Sequence, residues 1–142
     1  MTDQEPAPLH PIARDQPPFA LHLEMRIIFA EPHQVEAEME VTPAHINRNG
    51  VLHGGAIMAL ADNVGGTGTF LNLKPGEGTT TIESKTNFFR AVPAGDRVRA
   101  IAVPLHIGRR TQVWQTTILR GDGKVAALVT QTQMVLAPDQ AG

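Results

Sequence analysis

Apolar and acidic residues alternate at period two across residues 34–41, where Val35, Ala37, Met39 and Val41 take one face and Glu36, Glu38 and Glu40 the other. That alternation predicts a strand with one wet face, and the run at 25–30, ahead of the turn Glu31-Pro32-His33, completes a β-hairpin. Residues 42–52 carry Pro43, Asn47, Asn49 and Gly50 and read as a loop. From Gly54 the pattern changes to a long run of small and apolar residues, which predicts a helix. After the turn at 74–78 come four more strand candidates, at 79–89, 97–106, 111–119 and 125–136. The last two are joined by Arg120-Gly121-Asp122-Gly123-Lys124, whose Asp-Gly pair is a hairpin signal. The order β-β-α-β-β-β-β places one long helix against an antiparallel sheet, an α+β arrangement. Five prolines between Pro6 and Pro18 predict a mobile arm over residues 1–18, followed by a single domain at 19–142. No internal repeat is present.

Composition narrows the function classes. The 142 residues suffice for one domain with a sizeable core. A net charge of −2 gives no general attraction to nucleic acid or anionic lipid, so an anionic ligand must be held by local basic residues. The absence of cysteine removes disulfides, thiolate metal ligands and a cysteine nucleophile. The histidines show no HxH or HExxH spacing, so no metal is expected. The start MTDQEPAPLH has neither basic nor apolar signal regions, and no apolar run reaches the ~20 residues that span a bilayer. A cytoplasmic protein that contacts neither membrane nor nucleic acid is expected.

Asp62 is the only charged residue between His53 and Lys74. A carboxylate among apolar neighbours costs several kcal/mol unless it is hydrogen-bonded, paired or wet. Its helical neighbours Ala59, Gly65, Gly66 and Thr69 are all small, and two interior glycines cost roughly 0.8–1 kcal/mol each relative to alanine, which points to close approach by a ligand or another backbone. The structural alternative is that the helix ends near Ala61 and Asp62 caps a second one. At the front of the helix, Gly54 and Gly55 present unpaired N–H groups without side chains, fit to hold the negative oxygen of an acyl-transfer intermediate. Gly54 and Asp62 stand eight positions apart, ~12 Å along one helix, too far to serve one carbonyl carbon. If both are catalytic, the site lies between two chains whose helices run antiparallel in a symmetric dimer.

Asn47, Gly50, His53-Gly54-Gly55, Leu60-Ala61-Asp62, Thr81-Ile82-Glu83, Asn87-Phe88, Pro93-Ala94-Gly95-Asp96 and Gly108-Arg109 together resemble the hotdog-fold acyl-CoA thioesterases of the PaaI type. The segment at 104–115 is similar to the branch that hydrolyses aromatic acyl-CoA thioesters such as hydroxybenzoyl-CoA and dihydroxynaphthoyl-CoA. The resemblance covers roughly residues 29–136. It implies a long helix wrapped by an antiparallel sheet and a site at a homodimer interface, with dimers pairing into tetramers. It further implies Asp62 as the catalytic carboxylate, as general base or nucleophile, with the Gly54 N–H and the Asn47 amide on the thioester.

Aspartate stands where the aromatic branch usually has glutamate, and Gly66 replaces a hydroxyl residue one turn later, a place Thr67 or Thr69 could take. Phe88 replaces a polar ring-recognition residue, which favours a plain aryl or medium-chain acyl group. Thr81 is expected near the acyl pocket, and His53, just before Gly54, is expected to orient the loop by a backbone hydrogen bond, with a role as base the alternative. Arg90, Arg109 and Arg110, with Lys85 less central, are the candidates for coenzyme A phosphates, and His106, Gly108 and Thr111 shape the loop beside the nucleotide. Trp114 reads as core or interface. Coenzyme A enters as part of the substrate, and no cofactor is expected. The competing function is a non-catalytic acyl-CoA sensor on the same fold. A hydratase lacks support because position 67 is threonine where that chemistry has histidine, and Gly65-Gly66-Thr67-Gly68 lacks the lysine of a phosphate loop.

Overall fold

In the computed structural model, which describes residues 8–139, the wet-faced hairpin forms from β1 (Arg26–Glu31) and β2 (Gln34–Glu40). On its outer face Arg99 meets Glu36 at 2.6 Å, and Arg26 and Arg97 lie against Glu38 and Glu40. The apolar positions Val35, Ala37 and Met39 are fully buried. A short 3-10 turn at Pro43–His45 leads to α3 (Gly54–Leu71), preceded by two short helices, α1 (Pro11–Arg14) and α2 (Pro18–His22). Four strands follow: β3 (Gly78–Phe88), β4 (Arg97–Ile107), β5 (Thr111–Leu119) and β6 (Val125–Leu136).

The six strands form one sheet in the order β1-β2-β4-β5-β6-β3, with every neighbouring pair antiparallel. The link through α3 therefore carries the chain from β2 to the far edge, where, among the described residues, β3 pairs with β6 alone. The helix lies in the concave side of the sheet. Small residues at the inward positions of the strands, Ala37, Ala100, Ala102 and Ala127, let Ile57, Leu60 and Val64 of α3 settle between them. Gly68 takes the flat face of the fully buried Trp114, which would overlap any Cβ at that position. Asn72 fastens the end of the helix, donating its amide to the carbonyls of Gly68 at 2.8 Å and of Pro32 in the β1–β2 turn at 2.7 Å. The β5–β6 turn is held by Arg120 bound to Asp122, which keeps that carboxyl well below the usual carboxylate range.

Of the proline-rich start read as a mobile arm, residues 1–7 lie outside the described residues, and the rest is folded onto the domain. Ala13 and Ala20 are buried in the main core and Leu9 packs against it. Pro11 and Pro18 are the first residues of α1 and α2, where a missing N–H costs nothing and the fixed φ suits a helix. Among the described residues no helix is long and apolar enough to cross a membrane.

Candidate active site

α3 runs unbroken through Asp62, so this residue is not the cap of a second helix. Its side chain leaves the helix towards β3. Oδ1 accepts a hydrogen bond from the Thr81 hydroxyl at 2.7 Å and a longer one from Nε2 of Gln131 at 3.4 Å. Both bonds fall on Oδ1, and Oδ2 has no protein partner among the described residues. Nε2 of Gln133 donates to Thr81 Oγ1 at 2.6 Å, and its Oε1 accepts from Thr79 at 3.0 Å. Because the Thr81 oxygen already receives a hydrogen, its own hydrogen is directed to Asp62. The carboxylate is thus hydrogen-bonded on one oxygen and open to solvent on the other, which meets the cost its sequence setting implied.

Gln131 and Gln133 are absent from the residues singled out by sequence. The signal lies in strand parity: Ala127 and Val129 face inward on β6, so residues 131 and 133 do too, and both glutamines are buried. The same parity on β5 puts Gln112 beside Trp114, whose indole N–H donates to Gln112 Oε1 at 3.0 Å. Gly65 is explained by this polar layer, since a Cβ there would overlap the Gln131 amide. Gly66 is different, with open space where a Cβ would stand. Neither threonine offered in place of the missing hydroxyl is free, as Thr67 donates to the carbonyl of Asn63 at 2.7 Å and Thr69 to that of Gly65 at 2.9 Å.

At the start of α3, His53 is the N-cap, and its Nδ1 accepts from the Gly55 N–H at 2.8 Å. The N–H groups of Ala56 and Ile57 both bond the His53 carbonyl. Among the described residues this leaves the Gly54 N–H as the unpaired donor of the first turn. Gly55, expected as a second backbone contact, has its donor occupied by His53. The Phe88 ring packs over Gly54, 3.1 Å from where a Cβ would stand. Asn47 uses Oδ1 to accept from the N–H groups of Asn49 at 2.9 Å and Val51 at 3.3 Å, which leaves its Nδ2 free. Asn47, Gly54, Phe88 and Arg90 line one cleft of about 350 Å³. Asp62 and Gly66 line another of about 540 Å³, and the two clefts share no residue.

The basic candidates separate in the same way. Arg90 donates to the Val125 carbonyl at 2.7 Å at the start of β6, whereas the Arg110 carbonyl accepts from Val135 near its end. Val125 and Val135 are ten residue steps apart along the strand, a distance of ~30 Å at ~3.3 Å per residue. Arg109 and Arg110 are exposed on the β4–β5 turn, where the Gly108 N–H bonds the Thr111 carbonyl at 2.8 Å and His106 occupies the space beside Gly108. Among the described residues no three His, Cys, Asp or Glu side chains are grouped to hold a metal ion.

One long helix against an antiparallel sheet is the fold of the hotdog thioesterases, and here Asp62 stands at the middle of that helix and a bare glycine N–H at its start. Residues 49–127 match the thioesterase superfamily, and the chain belongs to it. It is 32% identical over 114 residues to the 1,4-dihydroxy-2-naphthoyl-CoA hydrolase of Escherichia coli, a match spanning 80% of this chain and 83% of that protein. The solved thioesterase of Haemophilus influenzae superposes with a TM-score of 0.80 at 32% identity, covering 84% of this chain and 83% of that one. The phenylacetic acid degradation protein PaaI of Thermus thermophilus, solved as a point mutant, gives 0.78 at 28% identity, covering 83% and 98%.

Proposed function

We propose that this protein hydrolyses an acyl-CoA with an aryl or medium-chain acyl group, in a site shared by two protomers. One protomer supplies Asp62, and the other supplies the Gly54 N–H and the Asn47 amide. Asp62 Oδ2 takes a proton from the water that attacks the thioester carbon; direct attack by Oδ2, giving an anhydride that water then opens, uses the same groups. The carbonyl oxygen, negative in the intermediate, lies on the Gly54 and Asn47 donors. The bond to sulfur then breaks, releasing coenzyme A and the free acid.

One juxtaposition carries this reading. Thr81, near the start of β3, holds Asp62, while Phe88, at its end, covers Gly54. β3 is an edge strand of 11 residues without proline, the kind of edge that pairs with another chain. A two-fold axis near Ser84 and Lys85 would pair β3 with its own copy and set the Asp62 end of each protomer beside the Gly54 end of the other. The same operation gathers Arg90 of one chain with Arg109 and Arg110 of the other, restoring a basic cluster for coenzyme A phosphates. The name of the Escherichia coli relative favours an aromatic acyl group.

Complementation tests the shared site. Gly54→Pro deletes the N–H at the first helical position, where proline suits the backbone and the exposed Phe88 ring above it has to turn aside, and Asp62→Asn removes the carboxylate. Each variant alone is expected to release almost no thiol from benzoyl-CoA. Unfolding and refolding them together should recover roughly a quarter of parental activity, because half the dimers are mixed and each mixed dimer holds one intact site. No recovery from a mixture whose mixed dimers are demonstrated by mass would overturn the shared site. Ligand binding by the parent without thiol release would favour the sensor.

A further inference from the structure

The segment Ile12 to Pro18, which sequence assigned no role, forms one wall of the groove that Asp62 opens into. We propose that it is a strap that selects the acyl group, admitting an uncharged apolar group and rejecting one that bears an anion. This rests on the reading of Asp62 as the residue that meets the thioester.

The groove, about 540 Å³, is bounded on one side by α3 and on the other by the strap. Ile12 and Pro18 of the strap and Phe70 of the helix supply apolar surface, and Gly66 leaves the floor open next to Asp62. That volume falls within the ~300–1,000 Å³ of small-molecule pockets. The strap is latched: Gln16 Oε1 accepts from Asn63 Nδ2 at 2.8 Å, one residue beyond Asp62, and Gln16 Nε2 donates to the Ala13 carbonyl at 2.8 Å. The latch fixes Ile12 and Pro18 relative to the acid.

Charge sets the second half of the selection. Asp15 lines the same groove as Asp62, and no lysine, arginine or histidine lines it among the described residues. On this chain's side of the groove an acyl group ending in a carboxylate would meet two acids and no cation, and such like-charge placement discriminates against the wrong ligand. A neutral ring meets isoleucine, proline and phenylalanine.

Ketone thioethers of coenzyme A, which cannot be hydrolysed, test the strap without relying on turnover. Calorimetry on the full chain would compare phenacyl-CoA, 4-carboxyphenacyl-CoA and acetonyl-CoA. The parent is expected to bind the phenacyl analogue at least about tenfold tighter than the acetonyl one, since a buried ring contributes well over that factor. Ile12→Ala and Gln16→Ala should each reduce this ratio by about threefold or more. The carboxylated analogue should bind at least about tenfold more weakly than phenacyl-CoA, and Asp15→Asn, an exposed substitution, should recover most of that loss. Ratios in the parent near one, or ratios unmoved by both Ile12→Ala and Asp15→Asn, would overturn the proposal. The complementation assay can fail while these ratios hold, and the reverse, so the strap and the shared site stand or fall separately.

Discussion

Thr81 on β3 donates its hydroxyl hydrogen to Oδ1 of Asp62 on α3 over 2.7 Å, and the Gln133 amide behind it fixes the direction of that bond. The acid is held by the sheet as much as by its own helix. Hydrogen bonds to charged groups contribute about 1.5–3 kcal/mol. If the bond steers Oδ2 towards the reacting carbon, Thr81→Val should lower kcat by roughly 10–100-fold with KM little changed. Thr81→Ser, which keeps the hydroxyl, should recover most of the rate. Equal loss in both variants would assign the position to packing instead.

Asp62→Asn keeps the shape of the side chain and an oxygen that can accept from Thr81, but puts a non-basic NH2 donor in place of Oδ2. Turnover of the best acyl-CoA substrate should fall about 10²–10⁴-fold. Sedimentation should show the same assembly as the parent, because among the described residues Asp62 makes no ion pair that holds the fold. Near-parental kcat would remove Asp62 from the chemistry.

The helix glycines should respond in opposite directions. Gly66→Ala enters open space and should raise stability by about 0.8–1 kcal/mol. Gly68→Ala meets the rigid Trp114 ring, and overpacking of about 1–3 kcal/mol should outweigh the helical gain. Thermal melts of the two variants decide the matter, and a stabilised Gly68→Ala would show that Trp114 has room to move.

His53→Ala removes the acceptor for the Gly55 N–H and should cost about 1 kcal/mol, as loss of a helix cap does. His53→Asn should retain most of the stability, since asparagine is itself a preferred cap. A variant that loses activity without losing stability would give this side chain a role on the substrate.

Arg90→Ala and Arg109→Ala should raise KM for an acyl-CoA while leaving the matching acyl-pantetheine almost unaffected. A phosphate contact is missing from the shorter substrate. Parallel effects on both thioesters would place the arginines away from the nucleotide.

Much of this architecture was legible because it is written in short-range patterns. The bounds of β5 and β6 agree with the predicted strands at 111–119 and 125–136, where turn residues punctuate strong alternation. The acid and the helix-start glycine stood out as exceptions within an apolar run. What escaped depends on pairing across the chain. Nothing local tells β3 to lie beside β6 and not β4, so the layer of Gln131 and Gln133 behind Thr81 could not be assembled from spacing alone. The arginines looked like one cluster in sequence, yet the sheet puts them at opposite ends. Prolines 11 and 18 suggested a disrupted arm when they in fact open helices, because proline's fixed φ is a fault inside a helix and an asset at its first residue.

The free edge of β3 has a kinetic consequence. With Asp62 at one end of that strand and the bare Gly54 N–H at the other, the proposed shared site would leave a lone protomer with two halves that never meet, and newly made chains would be inert towards thioesters. Below the dimer dissociation constant, total activity should then fall with the square of protein concentration and specific activity in proportion to it, both returning on concentration. On that reading encounter would switch hydrolysis on, and the amount of protein present would set how much of it is an enzyme.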